Sequence, residues 1–284
     1  MIEKKIAVII VGHGSRVQQA NKEFECFVDQ LKKYITGHEI AHAYIELAQP
    51  DLKTALDRMA STSSEVIVLP FFLFTAGHVK NDLPLAVAKA RKNFPHVQFG
   101  VAVPLGVHPN MVRLTATRLE ETSRQLNKKK EKTSVLMIGR GSSDPDANSD
   151  FCKLVRMLEE TSPYAKIDYC FIAIVKPKVE EALERLVRDT PEAIILQPYL
   201  LFPGRLVQQL EEFVIPYVER YPWISFKISK TLGEDPLIFD LLKERLTDLE
   251  YGGKPLPCDT CQYRVPLNHI QEKVGGLNSL LWSI

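Results

Sequence analysis

Residues 6–15 of the chain read IAVIIVGHGS, six apolar residues that run into Gly12-His13-Gly14-Ser15. An uninterrupted apolar run of this kind is typical of a strand buried on both faces of a sheet. Short apolar runs and amphipathic stretches then alternate, which predicts helices at 17–35, 51–60, 79–93 and 109–126 and strands at 39–45, 66–69 and 97–103. This alternation favours an α/β fold in which helices flank a small parallel sheet.

The same sequence pattern is repeated 127 residues further along the chain. This shift places GHGS (12–15) on GRGS (139–142), and it matches Pro50 with Pro177 and Gly77 with Gly204 without a gap. We therefore predict two tandem homologous domains, 1–128 and 133–250. The polar stretch NKKKEK (127–132) would link them, and a tail, 251–284, would follow.

Composition limits the function classes. The 36 Lys and Arg residues balance 35 Asp and Glu residues, and a net charge of +1 gives no support for nucleic-acid or membrane-surface binding. No apolar run reaches the roughly 18 residues that a membrane span requires. An odd number of cysteines, five in 284 residues, does not suggest a disulfide framework, so a cytoplasmic location is expected.

Three polar residues of the first copy follow predicted strands. His13 follows the first strand, Glu46 closes the second, and His78 follows the apolar run 66–74. In an open parallel sheet, ligands bind at the carboxyl edge, where these side chains should meet. Two imidazoles and a carboxylate at one edge can hold a divalent metal, accept protons, or do both.

The second copy provides an internal comparison. At the constant offset, Arg140 replaces His13, Ala173 replaces Glu46 and Arg205 replaces His78, while the glycines, prolines and apolar frame are kept. The joint loss indicates that the first copy performs the chemistry and the second supports it. The two arginines suit carboxylate groups, because guanidinium pairs with them bidentately.

Other residues near this edge suggest a flat, acidic ligand. The stretch PFFLFTAG (70–77) is largely apolar and would provide a wall against a large ring system. Arg16 and Lys80 could meet acidic substituents. The Ser15 hydroxyl would either cap the following helix or contact the ligand.

These motifs, VGHGSR (11–16), Glu46 and TAGHVKNDLP (75–84), resemble those of the sirohydrochlorin chelatases, class II ATP-independent enzymes that insert cobalt or ferrous iron. The resemblance covers about residues 4–250, and GRGSSDP (139–145) is similar to the second domain of the long, two-domain form. It implies that His13 accepts protons and binds metal, that His78 also binds metal, and that Glu46 lies in the same cleft. The residues implied to line the tetrapyrrole are Leu73, Phe74, Thr75, Ala76 and Gly77.

The resemblance also implies the reaction. Metal insertion would release two protons, take Co²⁺ or Fe²⁺ as a substrate, need no resident cofactor, and serve siroheme or cobalamin biosynthesis. Sirohydrochlorin is rich in carboxylates, which gives Arg16, Lys80, Arg140 and Arg205 a role in binding it. A neutral imidazole with a pKa of about 6.5 is a suitable proton acceptor.

The tail carries Cys258 and Cys261 in a C-x-x-C motif. Two thiolates are fewer than the four that a zinc or Fe–S site normally needs. An Fe–S cluster shared across a homodimer, a redox pair, a metal-delivery arm and an inert tail all stay open.

Two other function classes compete with the chelatase hypothesis. A metallochaperone or tetrapyrrole carrier would keep the pocket without turnover. A phosphohistidine-type transferase would use His13 as its nucleophile, but no arginine pair lies near that residue in the sequence.

Overall fold

The computed structural model describes residues 5–253 and 255–256. The strands in this part are β1 (Ile6–Gly12), β2 (Glu39–Tyr44), β3 (Glu65–Pro70), β4 (Gln98–Val101), β5 (Thr133–Gly139), β6 (Lys166–Phe171), β7 (Ala193–Pro198) and β8 (Ser225–Ile228). The α-helices are α1 (Gln18–Tyr34), α2 (Leu52–Ala60), α3 (Leu83–Asn93), α4 (Pro109–Leu126), α5 (Pro145–Thr161), α6 (Val179–Arg188), α7 (Arg205–Arg220) and α8 (Pro236–Glu250).

The strands form two parallel sheets of four with the same topology. Their orders are β2-β1-β3-β4 and β6-β5-β7-β8, and the last residue of the central strand pairs equivalently in both, Gly12 with Tyr44 and Gly139 with Phe171. The apolar run Ala7–Val11 is fully buried because helices cover both faces of its sheet. The predicted α/β fold with two tandem copies is confirmed.

One predicted helix starts in an unexpected way. The stretch 79–93 begins as a π-helix, His78–Asp82, and continues as α3. A single π-helical turn is rare and is frequently found at functional sites. The predicted linker also has local structure, because Lys130–Lys132 forms a turn of 3₁₀-helix that leads directly into β5. Within the described residues, no helix combines the length and hydropathy that a membrane crossing requires.

The predicted domains, 1–128 and 133–250, follow the sequence repeats, and the compact units of the structure have different boundaries. The described residues form two compact units, one made of residues 5–106 and the described residues from Ile238 on, the other of Val107–Leu237. Each repeat therefore gives its last helix, α4 or α8, to the unit that contains the other repeat's sheet. The sequence repeats are contiguous, whereas the first compact unit is built from two separate stretches of the chain.

Packing explains this exchange. In the first unit, Phe239 of α8 packs against Phe27 of α1 at 5.1 Å between ring centroids, and His38 pairs with Glu250 at 3.1 Å. In the second unit, α4 packs on β7 and β8, where the Thr122 and Ser229 hydroxyls are hydrogen bonded at 2.6 Å. Each exchanged helix thus packs within the unit that it joins.

Candidate metal centre

His13, Glu46 and His78 meet at the carboxyl edge of the first sheet. His13 directly follows β1, Glu46 lies two residues beyond β2, and His78 opens the π-helix. The pairing of β1 with β2 continues past the ends of both strands, since the Glu46 amide donates to the His13 carbonyl at 3.0 Å. The backbone thus fixes the two residues side by side.

The three side chains present nitrogen and oxygen atoms to one point. The His13 Nδ1 lies 3.5 Å from the Glu46 Oε1, and the His78 Nε2 lies 3.8 Å from the same oxygen. The two imidazole rings are perpendicular, with centroids 4.8 Å apart. All three side chains are between 32% and 41% exposed, so the cluster opens to solvent.

The two nitrogen–oxygen distances, 3.5 and 3.8 Å, are longer than hydrogen bonds and close to the separation of two ligands on one metal ion, and the three ligand atoms all lie within 4.8 Å of one another. Hydrogen bonds between such atoms are about 2.7–3.2 Å long. An ion bonded at about 2.0–2.2 Å to each ligand separates tetrahedral neighbours by about 3.3–3.6 Å. Three ligands also leave coordination positions open, as in sites that exchange what they hold. Within the described residues, this is the only such group of three.

Gly14 permits the close approach of the two loops. Its φ of +90° is unfavourable for other residues, and a Cβ at this position would lie 1.8 Å from the Glu46 carbonyl oxygen. In the second copy, a Cβ at Gly141 would lie 3.2 Å from its nearest neighbours, Phe171 and Val175. The tightest contact therefore occurs in the copy that carries the cluster.

Asn21 holds the loop that follows His13, a role that the sequence analysis missed. Its Oδ1 accepts from the Ser15 amide at 2.9 Å, and its Nδ2 donates to the Ser15 carbonyl at 2.8 Å. Asn148 makes the same pair of bonds to Ser142. The signal was available, because Asn148 lies 127 residues after Asn21.

The alternative that Ser15 caps α1 is wrong. Val17 is the N-cap residue and has no side-chain cap, while the Ser15 hydroxyl accepts a hydrogen bond from the Val17 amide at 3.0 Å. The hydroxyl therefore closes the turn before the helix. Its contact with a ligand stays a prediction.

The three phenylalanines after β3 have different environments. Phe71 is 3% exposed and stacks on Phe27 at 4.2 Å, so it belongs to the core. Phe72 lies beside the cluster, with its ring 6.5 Å from the His13 ring. Phe74 and the other residues predicted to line the tetrapyrrole, Leu73, Thr75, Ala76 and Gly77, are half-buried beside His78. This short segment presents a partly apolar surface next to the cluster.

The predicted cationic residues are accessible. In the first unit Arg16 is exposed and Lys80 is half-buried on the π-helix. In the second unit Arg140 directly follows β5 and Arg205 begins α7, and both side chains are exposed. Their roles toward a substrate stay predictions.

Asp82 is a second residue that the sequence analysis did not single out. Its Oδ2 lies 2.6 Å from the Nδ1 of His78, four residues earlier. Both residues also line a groove of about 450 Å³ that extends from Glu46 between α2 and α3. A signal existed here too, because the residue 127 positions later is Gln209, not an acid.

The cysteines divide between the described and undescribed parts of the chain. Cys26, Cys152 and Cys170 are free thiols. Burial raises the pKa of the Cys170 thiol well above its usual range, so this cysteine is an unreactive core residue. Cys258 and Cys261 lie outside the described residues.

Comparison with known proteins identifies the family. The CbiX family model matches twice, at residues 7–122 and 134–249, one match for each sequence repeat. The chain is 34% identical to a sirohydrochlorin cobaltochelatase of Priestia megaterium, over 91% of this chain and 85% of that protein. It is 30% identical to a sirohydrochlorin ferrochelatase of Bacillus subtilis, over 86% of this chain and 92% of that protein.

A solved structure of SirB from Bacillus subtilis with Fe³⁺ is also similar, with a TM-score of 0.77 and 27% identity over 86% of this chain and 95% of that one. Sequence and structure therefore agree over both repeats. The chain belongs to the CbiX family.

Proposed function

We propose that this protein is an ATP-independent sirohydrochlorin chelatase that inserts Co²⁺ or Fe²⁺ into the tetrapyrrole. The observation that carries the proposal is the convergence of His13, Glu46 and His78 in an open cluster of the first copy. The relatives support it, since the two compared above are named a cobaltochelatase and a ferrochelatase of sirohydrochlorin.

The reaction exchanges one divalent ion for two pyrrole protons, so charge is conserved. His13, Glu46 and His78 would hold the ion through the nitrogen and oxygen atoms that converge in the cluster. The open coordination positions of the ion would let tetrapyrrole nitrogens replace the protein ligands one at a time. As the ion leaves, the freed imidazoles and carboxylate become bases at the position where the two protons are released.

The segment 72–77 and the cationic side chains would bind the macrocycle. Phe72 and Leu73–Gly77 present partly apolar surface beside His13 and His78, which suits the face of a flat ring. Arg16 and Lys80, with Arg140 and Arg205 of the second copy, would pair with substrate carboxylates. The Ser15 hydroxyl would add a polar contact.

A carrier that binds metal or tetrapyrrole without turnover is the second candidate. It shares the cluster but predicts no catalysis, and the names of the relatives do not favour it. We also propose a cytoplasmic location, which the three free thiols support. An Fe–S cluster at Cys258 and Cys261, and a homodimer to share it, stay predictions.

Anaerobic incubation with sirohydrochlorin and either metal, followed in the visible spectrum, tests the proposal. We expect metal-dependent conversion that His13→Ala and His78→Ala abolish and that Arg140→Ala slows mainly through a higher KM. His96→Ala, at an exposed histidine outside the cluster, is the matched control and should keep full activity. Full activity in both cluster variants would contradict the proposal. A spectral change without faster insertion of either metal would favour the carrier, and the ratio of the two rates ranks the metals.

A further inference from the structure

Asp82 faces the ring nitrogen of His78 that points away from the cluster. The Asp82 Oδ2 to His78 Nδ1 distance is 2.6 Å, whereas the opposite ring nitrogen, Nε2, is the atom directed at Glu46. A carboxylate only accepts hydrogen bonds, so this contact requires the proton of a neutral imidazole to be on Nδ1. The lone pair is then on Nε2, on the side of the metal cluster.

We propose that Asp82 is a positioning residue for metal insertion, which fixes the ring orientation and tautomer of His78 so that Nε2 is available to the incoming ion. The inference rests on the proposed function of the cluster. Metal-binding histidines generally donate their other ring N–H to such a partner, and loss of that partner typically costs about tenfold to a hundredfold in metal affinity.

The local backbone supports this role. His78 and Asp82 are the first and last residues of the π-helix, whose closing bond runs from the Leu83 amide to the His78 carbonyl. This turn places the carboxylate beside the ring. In the second copy, α7 begins at Arg205 as a regular α-helix, and Gln209 takes the position of Asp82. The histidine, its carboxylate partner and the π-turn are thus lost together.

A purely structural role accounts less well for Asp82. The side chains of His78 and Asp82 are 37% and 45% exposed, and ion pairs this accessible contribute little to stability. The contact also joins neighbours on one turn, so it does not link separate elements. Its clearest consequence is the orientation of the imidazole.

The test compares Asp82→Ala and Asp82→Asn with Asp57→Ala. Asp57 lines the same groove but pairs with Lys53 at 2.8 Å, so it controls for the loss of a nearby negative charge. Asp82→Asn keeps a hydrogen-bond acceptor at nearly the same volume and guards against misfolding. Two readouts are used: Co²⁺ affinity of the whole protein without tetrapyrrole, and imidazole ¹⁵N chemical shifts of metal-free His78, which report the tautomer.

We expect Co²⁺ affinity to fall tenfold to a hundredfold in Asp82→Ala, less in Asp82→Asn, and by less than twofold in Asp57→Ala. The ¹⁵N shifts should change from the Nδ1–H form to a mixture in Asp82→Ala, with an unchanged melting temperature. Wild-type shifts that show Nε2–H, or an Asp82→Ala variant with unchanged affinity, would overturn the inference. If His78→Ala still abolishes metal insertion in that case, the chelatase proposal stands without it.

Discussion

The α-carbon of Gly14 lies so close to Glu46 that a Cβ would sit 1.8 Å from the Glu46 carbonyl oxygen. No side chain fits in that gap without moving one of the two loops. The loops carry His13 and Glu46, which contribute two of the three groups in the cluster. The shape of the cluster therefore depends on a residue that has no functional group.

Gly14→Ala should separate the loops and weaken metal binding. We expect Co²⁺ affinity to fall at least tenfold, and the strained backbone to cost about 1–3 kcal/mol of unfolding free energy. Gly37→Ala is the matched control, since its φ is +87° but no atom lies within 4 Å of the added Cβ. That control should lose some stability and keep its metal affinity. Equal metal affinity in both variants would show that the contact is unimportant.

Arg118 should matter more for stability than Arg245, its counterpart at the constant offset. Arg118 donates to the carbonyls of Thr231 and Leu232 at 3.2 and 3.1 Å and to the Asp235 carboxylate at 3.0 Å. The buried Nε of Arg245 has no hydrogen-bond partner among the described residues. Arg118→Ala should lower the free energy of unfolding, measured in urea, by about 2–3 kcal/mol. The two carbonyls and the Asp235 carboxylate would lose their charged hydrogen-bond donor. Arg245→Ala should cost less, and a reversed order would contradict this interpretation.

The sequence repeat 1–128 should not fold as a monomer. It lacks α8, whose Ile238, Phe239, Leu241, Leu242 and Leu246 are buried in the first unit. At about 1.5–3 kcal/mol for each buried side chain, their loss rivals the whole stability of a typical domain. A chain of residues 1–106 joined by a glycine-serine linker to 236–256 should unfold cooperatively. Thermal unfolding by circular dichroism compares the two, and cooperative unfolding of monomeric 1–128 would refute the compact units described here.

His42 should make the protein less stable in mild acid. Burial lowers the pKa of His42 below its ordinary value of 6.5, an effect that the Glu25 carboxylate only partly opposes. The folded state thus favours the neutral ring, which packs edge-on against Phe24 and Tyr44. Its stabilising contribution is complete above about pH 6.5 and is lost as the pH falls toward the folded-state pKa.

His42→Gln removes this titration and is measured by urea unfolding between pH 5 and 7.5. The decline in unfolding free energy below pH 6.5 should be smaller in the variant than in the wild type. His96→Gln, at an exposed histidine, should leave the pH dependence unchanged. A wild-type decline no steeper than that of His42→Gln would show that another group is responsible.

Much of the fold and of the cluster could be predicted from the sequence because both depend on local signals. Apolar runs mark buried strands, and the carboxyl ends of parallel strands lie at one edge of a sheet, so the sequence predicts that His13, Glu46 and His78 lie together. The constant offset also distinguishes residues that both copies share from residues that only the first copy carries. It extends to Asn21 and Asp82, whose hydrogen bonds become evident only in three dimensions.

The exchange of α4 and α8 could not be predicted in this way. The two helices occupy equivalent positions in the repeats, so their apolar patterns fit either sheet. Only the tertiary packing shows that Phe239 contacts Phe27 and that Thr122 contacts Ser229. The π-turn at His78 could not be predicted either, because the sequence pattern of residues 78–82 continues into that of an ordinary α-helix.

The helix exchange also bears on how such a chain evolves. A gene with a single repeat would encode a sheet without the helix that the other repeat gives to its compact unit, and a second molecule would have to supply that helix. Gene duplication and fusion would place that second helix in the same chain. One copy could then lose its histidines and carboxylate but not its scaffold, because the compact unit of the other copy includes one of its helices. Selection on the copy that carries His13, Glu46 and His78 would thus also preserve the glycines, prolines and apolar frame of the other copy.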